Sequence, residues 1–233
     1  MPRIEETNSK FKLNIRNARG ISSFESQDTR CMHRSLDFYF DFISPFGYLA
    51  SLRVDELATR HQRECRWQSM LLGISVLKIM GMQPLTQIPL KGDYLRIDLE
   101  RYLRQHKLTL ARTRDMTPSN PIPAGRAFHW IDQHDQTLAK TVAKAIFDAY
   151  WRQGEDIGSP EAVIAIARRV GADADGLRQG LASGEADSLL RAAVDRSLAL
   201  GVFGSPFFIV DREPFFGLEK MELVEEWLAS GGW

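Results

Sequence analysis

One stretch constrains the whole chain: Phe38–Tyr39–Phe40–Asp41–Phe42–Ile43–Ser44–Pro45–Phe46–Gly47–Tyr48–Leu49–Ala50. Leu36, Phe38, Phe40 and Phe42 fall at every second position, with Asp37, Tyr39 and Asp41 between them. That alternation is a strand rhythm and predicts a first strand over 36–42. Ser44–Pro45 ends it. Serine is a preferred N-cap, and proline suits the first helical position, where its missing N–H would be unpaired anyway. Leu49, Leu52, Val54 and Leu57 carry an apolar face onward and predict a helix from about 45 to 61. The unit is strand, tight turn, helix, with a hydroxyl at the helix start. A helix N-terminus offers unpaired N–H groups and partial positive charge. Ser44 thus stands where an anion such as a thiolate is stabilised. Taken alone, the stretch favours a plain cap, since most Ser-Pro helix starts do nothing more.

Further along, Arg66 to Met70 reads as a short second strand, and the middle of the chain is helical. Ile74, Leu77 and Ile79 form an apolar segment ending near Gly81. Two prolines make 83–89 a loop, and three make 117–123 irregular. Tyr94 to Leu103, Ala127 to Ile131, Leu138 to Ala149, Val163 to Val170 and Leu189 to Leu198 read as helices; Ser159–Pro160–Glu161 is a good start signal for the fourth. Beyond Gly201 the pattern changes. Phe207–Phe208–Ile209–Val210 and Pro214–Phe215–Phe216 are short strands around a turn, and Leu218 to Leu228 carries a last helix.

The order β-α-β, helical block, β-β-α permits one four-stranded sheet. Its first two strands are parallel through a right-handed crossover. Ligands of open α/β sheets bind outside the carboxyl ends of strands, and Ser44 lies at such an end. We therefore expect an α/β fold: residues 35–72 and 187–233 as the sheet domain, 73–186 as an inserted all-helical subdomain, and 1–34 as a poorly ordered N-terminal extension. Ser205–Pro206, just before an apolar strand, is the second notable feature. Proline is confined to strand starts, edges and bulges. A cis peptide bond is affordable at such a turn and would expose the Ser205 backbone for pairing with an extended ligand; an ordinary trans proline opening a strand is the simpler reading of these residues alone.

Composition excludes several classes. Lys plus Arg and Asp plus Glu are 30 each over 233 residues, which argues against a nucleic-acid binder driven by bulk charge. No apolar run approaches a membrane span, and the start lacks a secretory h-region. Two cysteines, Cys31 and Cys65, are too few for a disulfide framework, so a reduced, cytoplasmic setting is expected. The histidines are scattered, and His129 and His134 do not share a helical face, so no metal site is expected. No phosphate loop is present. A thiol–disulfide oxidoreductase would need cysteine at 44 or 47, where the chain has Ser44 and Gly47. Cys65 reads as a packing residue.

Together, the turn Phe38–Tyr39–Phe40–Asp41–Phe42–Ile43–Ser44–Pro45, the segment Gly201–Val202–Phe203–Gly204–Ser205–Pro206 and the following Pro214–Phe215–Phe216–Gly217–Leu218–Glu219–Lys220 carry a resemblance. The chain resembles the DsbA-like branch of the thioredoxin-like superfamily. Within it, it is similar to 2-hydroxychromene-2-carboxylate isomerases and kappa-class glutathione transferases. The resemblance implies glutathione as cofactor. Ser44, in place of the first redox cysteine, would hydrogen-bond the glutathione sulfur and favour its thiolate. The resemblance implies a cis bond at Pro206, and the backbone of Ser205 before it would pair with the cysteinyl unit. Phe216, Gly217 and Leu218 would line the approach, and Glu219 would hold the γ-glutamyl ammonium; the family usually has aspartate there. Lys78 would hold a substrate carboxylate, and Asn120 matches a Pro-x-Asn element. On their own these two read as a solvated lysine and a turn residue.

The implied reaction is glutathione-dependent isomerisation of 2-hydroxychromene-2-carboxylate-like aromatic acids in aromatic catabolism. Alternatives are a kappa-class-like transferase conjugating small electrophiles, and a non-enzymatic binding protein using the same groove. The implied partner is a small aromatic molecule, with neither nucleic acid nor membrane; a homodimer is common among relatives.

Overall fold

The computed structural model describes residues 35–112 and 116–233. The expectations for 1–34, Cys31 included, fall outside the described residues. Four strands form one sheet: β1 (Ser35–Phe40), β2 (Glu64–Ser69), β3 (Phe207–Val210) and β4 (Glu213–Phe216), in the order β2-β1-β3-β4. β1 and β2 are parallel, with Phe38 opposite Trp67. β3 is antiparallel to β1 and β4, with Phe208 opposite both Phe38 and Phe215. This is the thioredoxin-like layout expected from the sequence.

β1 stops at Phe40, two residues earlier than the alternation predicts. The Ser44 amide donates to the Asp41 carbonyl at 3.0 Å, and that turn takes the chain out of the ladder. The helix expected over 45–61 is two helices, α1 (Pro45–Ser51) and α2 (Val54–Arg60). Ser51 Oγ donates back to the Tyr48 carbonyl at 2.6 Å, and Arg53 N bonds Ala50 O three residues back. Serine back-bonding of this kind competes with the helical ladder. The helix tightens there and restarts, with Leu57 N donating to Arg53 O.

After β2, the apolar segment Gly73–Ile79 is a π-helical turn, with Met80 N donating to Ser75 O. The loop after it holds a short 3-10 turn, Leu85–Gln87. Next come α3 (Lys91–His106), α4 (Ile122–Asp132) and α5 (Gln136–Phe147), which continues as a π-helical turn over Asp148–Arg152. α6 (Pro160–Arg169) starts where the sequence predicts, its Ala162 amide capped by Ser159 Oγ. α7 (Ala174–Ala182) is a helix the sequence reading does not include; Ala174, Leu177 and Leu181 face the core, and Gly176 and Gly180 let the Trp130 ring approach. α8 (Glu185–Ala199) leads to β3 and β4. A 3-10 turn (Leu218–Lys220) and α9 (Met221–Ser230) close the chain.

The sheet is covered on both faces. On one, Leu36, Phe38 and Phe40 pack with Trp67, Phe208 and residues of α2, α4, α5 and α9. Phe40 is the hub: its ring lies 5.1–5.4 Å from those of Phe42, Trp67, Phe128 and Phe147. On the other, Tyr39, Met70, Val202 and Phe207 form a smaller cluster, and Leu190 and Val194 of α8 pack on Leu71 and Ile74. Tyr39 and Asp41, which alternate with the phenylalanines, are therefore buried as well. Cys65 is buried, and burial pushes its thiol well above the ordinary range, as suits a packing residue.

Candidate functional site

The Ser44 turn and the loop before β3 meet at the carboxyl end of β1. The Ser205–Pro206 peptide bond is cis. Ser44 Oγ accepts the Gly47 amide at 3.0 Å, the expected cap. The same hydroxyl donates across the fold to the Ser205 carbonyl at 2.9 Å. In return Asp41 N donates to Ser205 Oγ at 3.0 Å. The two serines, 161 positions apart in sequence, are thus locked by two hydrogen bonds between strand end and loop. Ser44 is only 4% exposed, while Ser205 is half-buried.

Gly47 permits this closeness. A Cβ on it would stand 2.6 Å from Ser205 Oγ and 3.3 Å from Ser44 Oγ. Real Cβ atoms do not approach so near, so any residue but glycine would displace the Ser205 hydroxyl.

Asp41 braces the turn from beneath. Its carboxyl is fully buried and accepts the Leu72 amide at 2.7 Å and the Ile43 amide at 3.1 Å. Burial raises its pKa to about 6, against the two amide donors, which pull it down. Asp41 therefore ties the ends of β1 and β2 to the loop that carries Ser205. The sequence placed it only as a polar position in the alternation; the signal was an acid inside an otherwise aromatic run. Nearby, Trp151 Nε1 donates to the Phe42 carbonyl at 3.0 Å and fixes the turn from the helical side. His129 is buried and donates from Nε2 to the Ser69 carbonyl at the end of β2. Burial lowers its pKa to about 4, so the ring is neutral.

The expected glutathione residues are divided between contact and proximity. Gly217 N donates to the Pro206 carbonyl at 3.1 Å, so the β4 end is tied to the same loop. Gly217 has φ +112°, and a Cβ there would meet the Glu219 carboxylate at 2.5 Å; the carboxylate folds back over it. Leu218 is buried and Glu219 exposed. Phe216 is 39% exposed and lies 4.6 Å, ring to ring, from Phe203, which is 41% exposed. This apolar shelf beside Ser205 includes Phe203, a residue the sequence reading did not single out.

The two expected substrate residues belong to other segments. Lys78 is exposed on the π-helical turn, between Leu77 and Ile79, which are 46% and 47% exposed. Asn120 is exposed, and its Oδ1 accepts the Ile122 amide two residues on, a local turn just before α4, whose N-cap is Pro121. Its neighbour Ser119 is buried; its hydroxyl donates to Asp156, and its amide donates to Tyr150 Oη at 3.2 Å. Among the described residues no group of three or more His, Cys, Asp or Glu could hold a metal ion. No helix of the described residues is long and apolar enough to cross a membrane.

A thioredoxin-like sheet with a helical block between β2 and β3, a serine at the first turn and a cis-proline facing it define the class. The chain belongs to the DsbA-like thioredoxin domain family, whose model matches residues 35–229. It is 29% identical over 201 residues to the 2-hydroxychromene-2-carboxylate isomerase of Sphingobium xenophagum, covering 84% of this chain and 99% of that protein. It is 24% identical to human glutathione S-transferase kappa 1, covering 84% and 93% of the two chains. Among solved structures it is similar to a 2-hydroxychromene-2-carboxylate isomerase, with TM-score 0.70 at 25% identity over 84% of this chain and 94% of that one. Both named activities belong to enzymes.

Proposed function

We propose that the protein is a glutathione-dependent isomerase acting on aromatic acids of the 2-hydroxychromene-2-carboxylate type. The observation that carries this reading is the Ser44–Ser205 lock, with the Ser44 hydroxyl held against the carbonyl that precedes the cis-proline. The isomerase relatives supply the reaction class.

Glutathione, when bound, supplies the nucleophilic sulfur. A thiol in water has a pKa near ~8.5, so a donor beside it enlarges the ionised fraction at neutral pH. The chain's own part is then clear. The Ser205 carbonyl accepts the ligand's cysteinyl amide, and the Ser44 O–H, turned from that carbonyl, points at the sulfur. Glu219 holds the γ-glutamyl ammonium. Phe216, Gly217 and Leu218 line its approach. Lys78 pairs with the substrate carboxylate, and Asn120 orients the substrate. Held by Ser44 and the Ser205 backbone, the thiol would supply a reversible nucleophile for the conjugated acid, one that an isomerisation would not consume. A transferase would stop at the adduct; the similarity to glutathione S-transferase kappa 1 keeps that as the second reading.

The test combines titration calorimetry with glutathione and a spectrophotometric isomerisation assay on 2-hydroxychromene-2-carboxylate. The reading predicts saturable binding and isomerisation with no net loss of glutathione. Consumption of glutathione favours the transferase. Absence of binding leaves the non-enzymatic alternative.

A further inference from the structure

We propose that the side-chain hydroxyl of Ser205 is a second hydrogen-bond donor to the bound sulfur, so that the thiolate sits between two serine hydroxyls. This rests on the glutathione reading above and adds a catalytic residue to it; there, Ser205 acts only through its backbone.

A hydroxyl has one proton and two lone pairs. Ser44 spends its proton on the Ser205 carbonyl and one lone pair on the Gly47 amide. What remains on Ser44 Oγ is a lone pair, which repels an anion until the proton swings away. Ser205 is the complement. Its Oγ accepts the Asp41 amide, and its proton has no acceptor among the described residues. An incoming thiolate is an acceptor, and Ser205 holds the uncommitted donor of this pair. The two oxygens also stand together, both within 3.3 Å of the point where a Cβ of residue 47 would lie. Glycine at 47 lets the Ser205 hydroxyl reach that place. The Asp41 amide, pointing at the same oxygen, orients its lone pair and thereby its proton. Ser205 is also more exposed than Ser44, so a ligand arriving from solvent reaches it without first opening the lock.

The test is the pH titration of bound glutathione, followed by the ultraviolet absorbance of the thiolate at saturating ligand. It compares wild type with Ser205→Ala, Ser205→Thr and Gly47→Ala. Wild type should lower the thiol pKa. Ser205→Ala should raise it again by about one unit, roughly tenfold less thiolate at neutral pH. Ser205→Thr, which keeps the hydroxyl, should restore the wild-type value. Gly47→Ala displaces the hydroxyl while retaining it and should also raise the pKa, which serves if Ser205→Ala does not fold. A wild-type shift that survives both Ser205→Ala and Gly47→Ala overturns this inference and leaves the glutathione reading standing. A rise in Ser205→Thr equal to that in Ser205→Ala also overturns it, because the effect then follows packing. No binding or no shift in wild type overturns both.

Discussion

The two halves of the proposed site are built differently. The sulfur end is a lattice of short, buried or part-buried contacts: Ser44 to Ser205 and Gly47, Asp41 to Ser205, Leu72 and Ile43, and Gly217 to Pro206. The substrate end has Lys78 exposed on a π-helical turn and Asn120 exposed at a helix start. Around Lys78 the apolar Leu77, Ile79 and Met80 remain 44–47% exposed. On the proposed reading, the first region is a rigid place for a thiolate and the second an open apolar surface where an aromatic acid would lie. A preorganised donor stabilises charge without rearrangement, whereas an open apolar face gains area only when covered. Chemistry should therefore depend on the first region and substrate choice on the second.

Changes in the two regions should separate along that line. Ser44→Ala should lower turnover by about ten- to thousandfold, as loss of one charge-stabilising donor does. Its loss of stability should be only about 1 kcal/mol, the worth of an N-cap; unchanged turnover across a pH series would remove its role. Lys78→Ala should raise KM for the aromatic acid roughly tenfold, the worth of one charged hydrogen bond. Glutathione affinity by calorimetry should stay put; a parallel loss of glutathione binding would erase the division between the two ends. Gly47→Ala should destabilise the fold by about 1–3 kcal/mol in denaturant melts, because its Cβ meets Ser205 Oγ. A neutral result would mean that the serine lock is loose.

A smaller effect concerns pH. Asp41 titrates at about 6 in the folded protein against an ordinary 3.8. The folded state then binds the extra proton, so this stabilisation is present below about pH 4 and is lost as pH rises through 6. His129, lowered to about 4, acts oppositely: its contribution is present above 6.5 and lost as pH falls toward 4. The two nearly cancel in wild type. Asp41→Asn should expose the histidine trend, with stability falling by roughly 1–3 kcal/mol on acidification. His129→Gln should expose the opposite slope. Parallel slopes in both variants would mean that neither group governs the acid limb.

Much of the sulfur end was legible in the sequence because it is written in local chemistry. An alternating aromatic run, Ser44–Pro45 and Ser205–Pro206 each carry their own geometric meaning. The order β-α-β, then β-β-α, follows from the strand and helix patterns, whereas Ser205–Pro206 alone left cis and trans open, and the cis expectation came with the family resemblance. What the sequence hid is tertiary. Asp41 looks like an outward strand residue until a second layer covers that face. The break after Ser51 depends on a hydroxyl turning back on Tyr48. α7 carries only a short stripe, Ala174, Leu177 and Leu181, and its two glycines, packed against the Trp130 ring, are poor helix formers. The reach of Ser205 Oγ to Asp41 N spans 164 positions, and no local pattern encodes such a contact.

A crystal structure with bound glutathione tests the central claim most directly. The sulfur should lie within hydrogen-bonding reach of Ser44 Oγ, about 3.5 Å or less, with the cysteinyl backbone along Ser205. A well-ordered tripeptide whose sulfur points away from Ser44, or one seated elsewhere on the molecule, would contradict it.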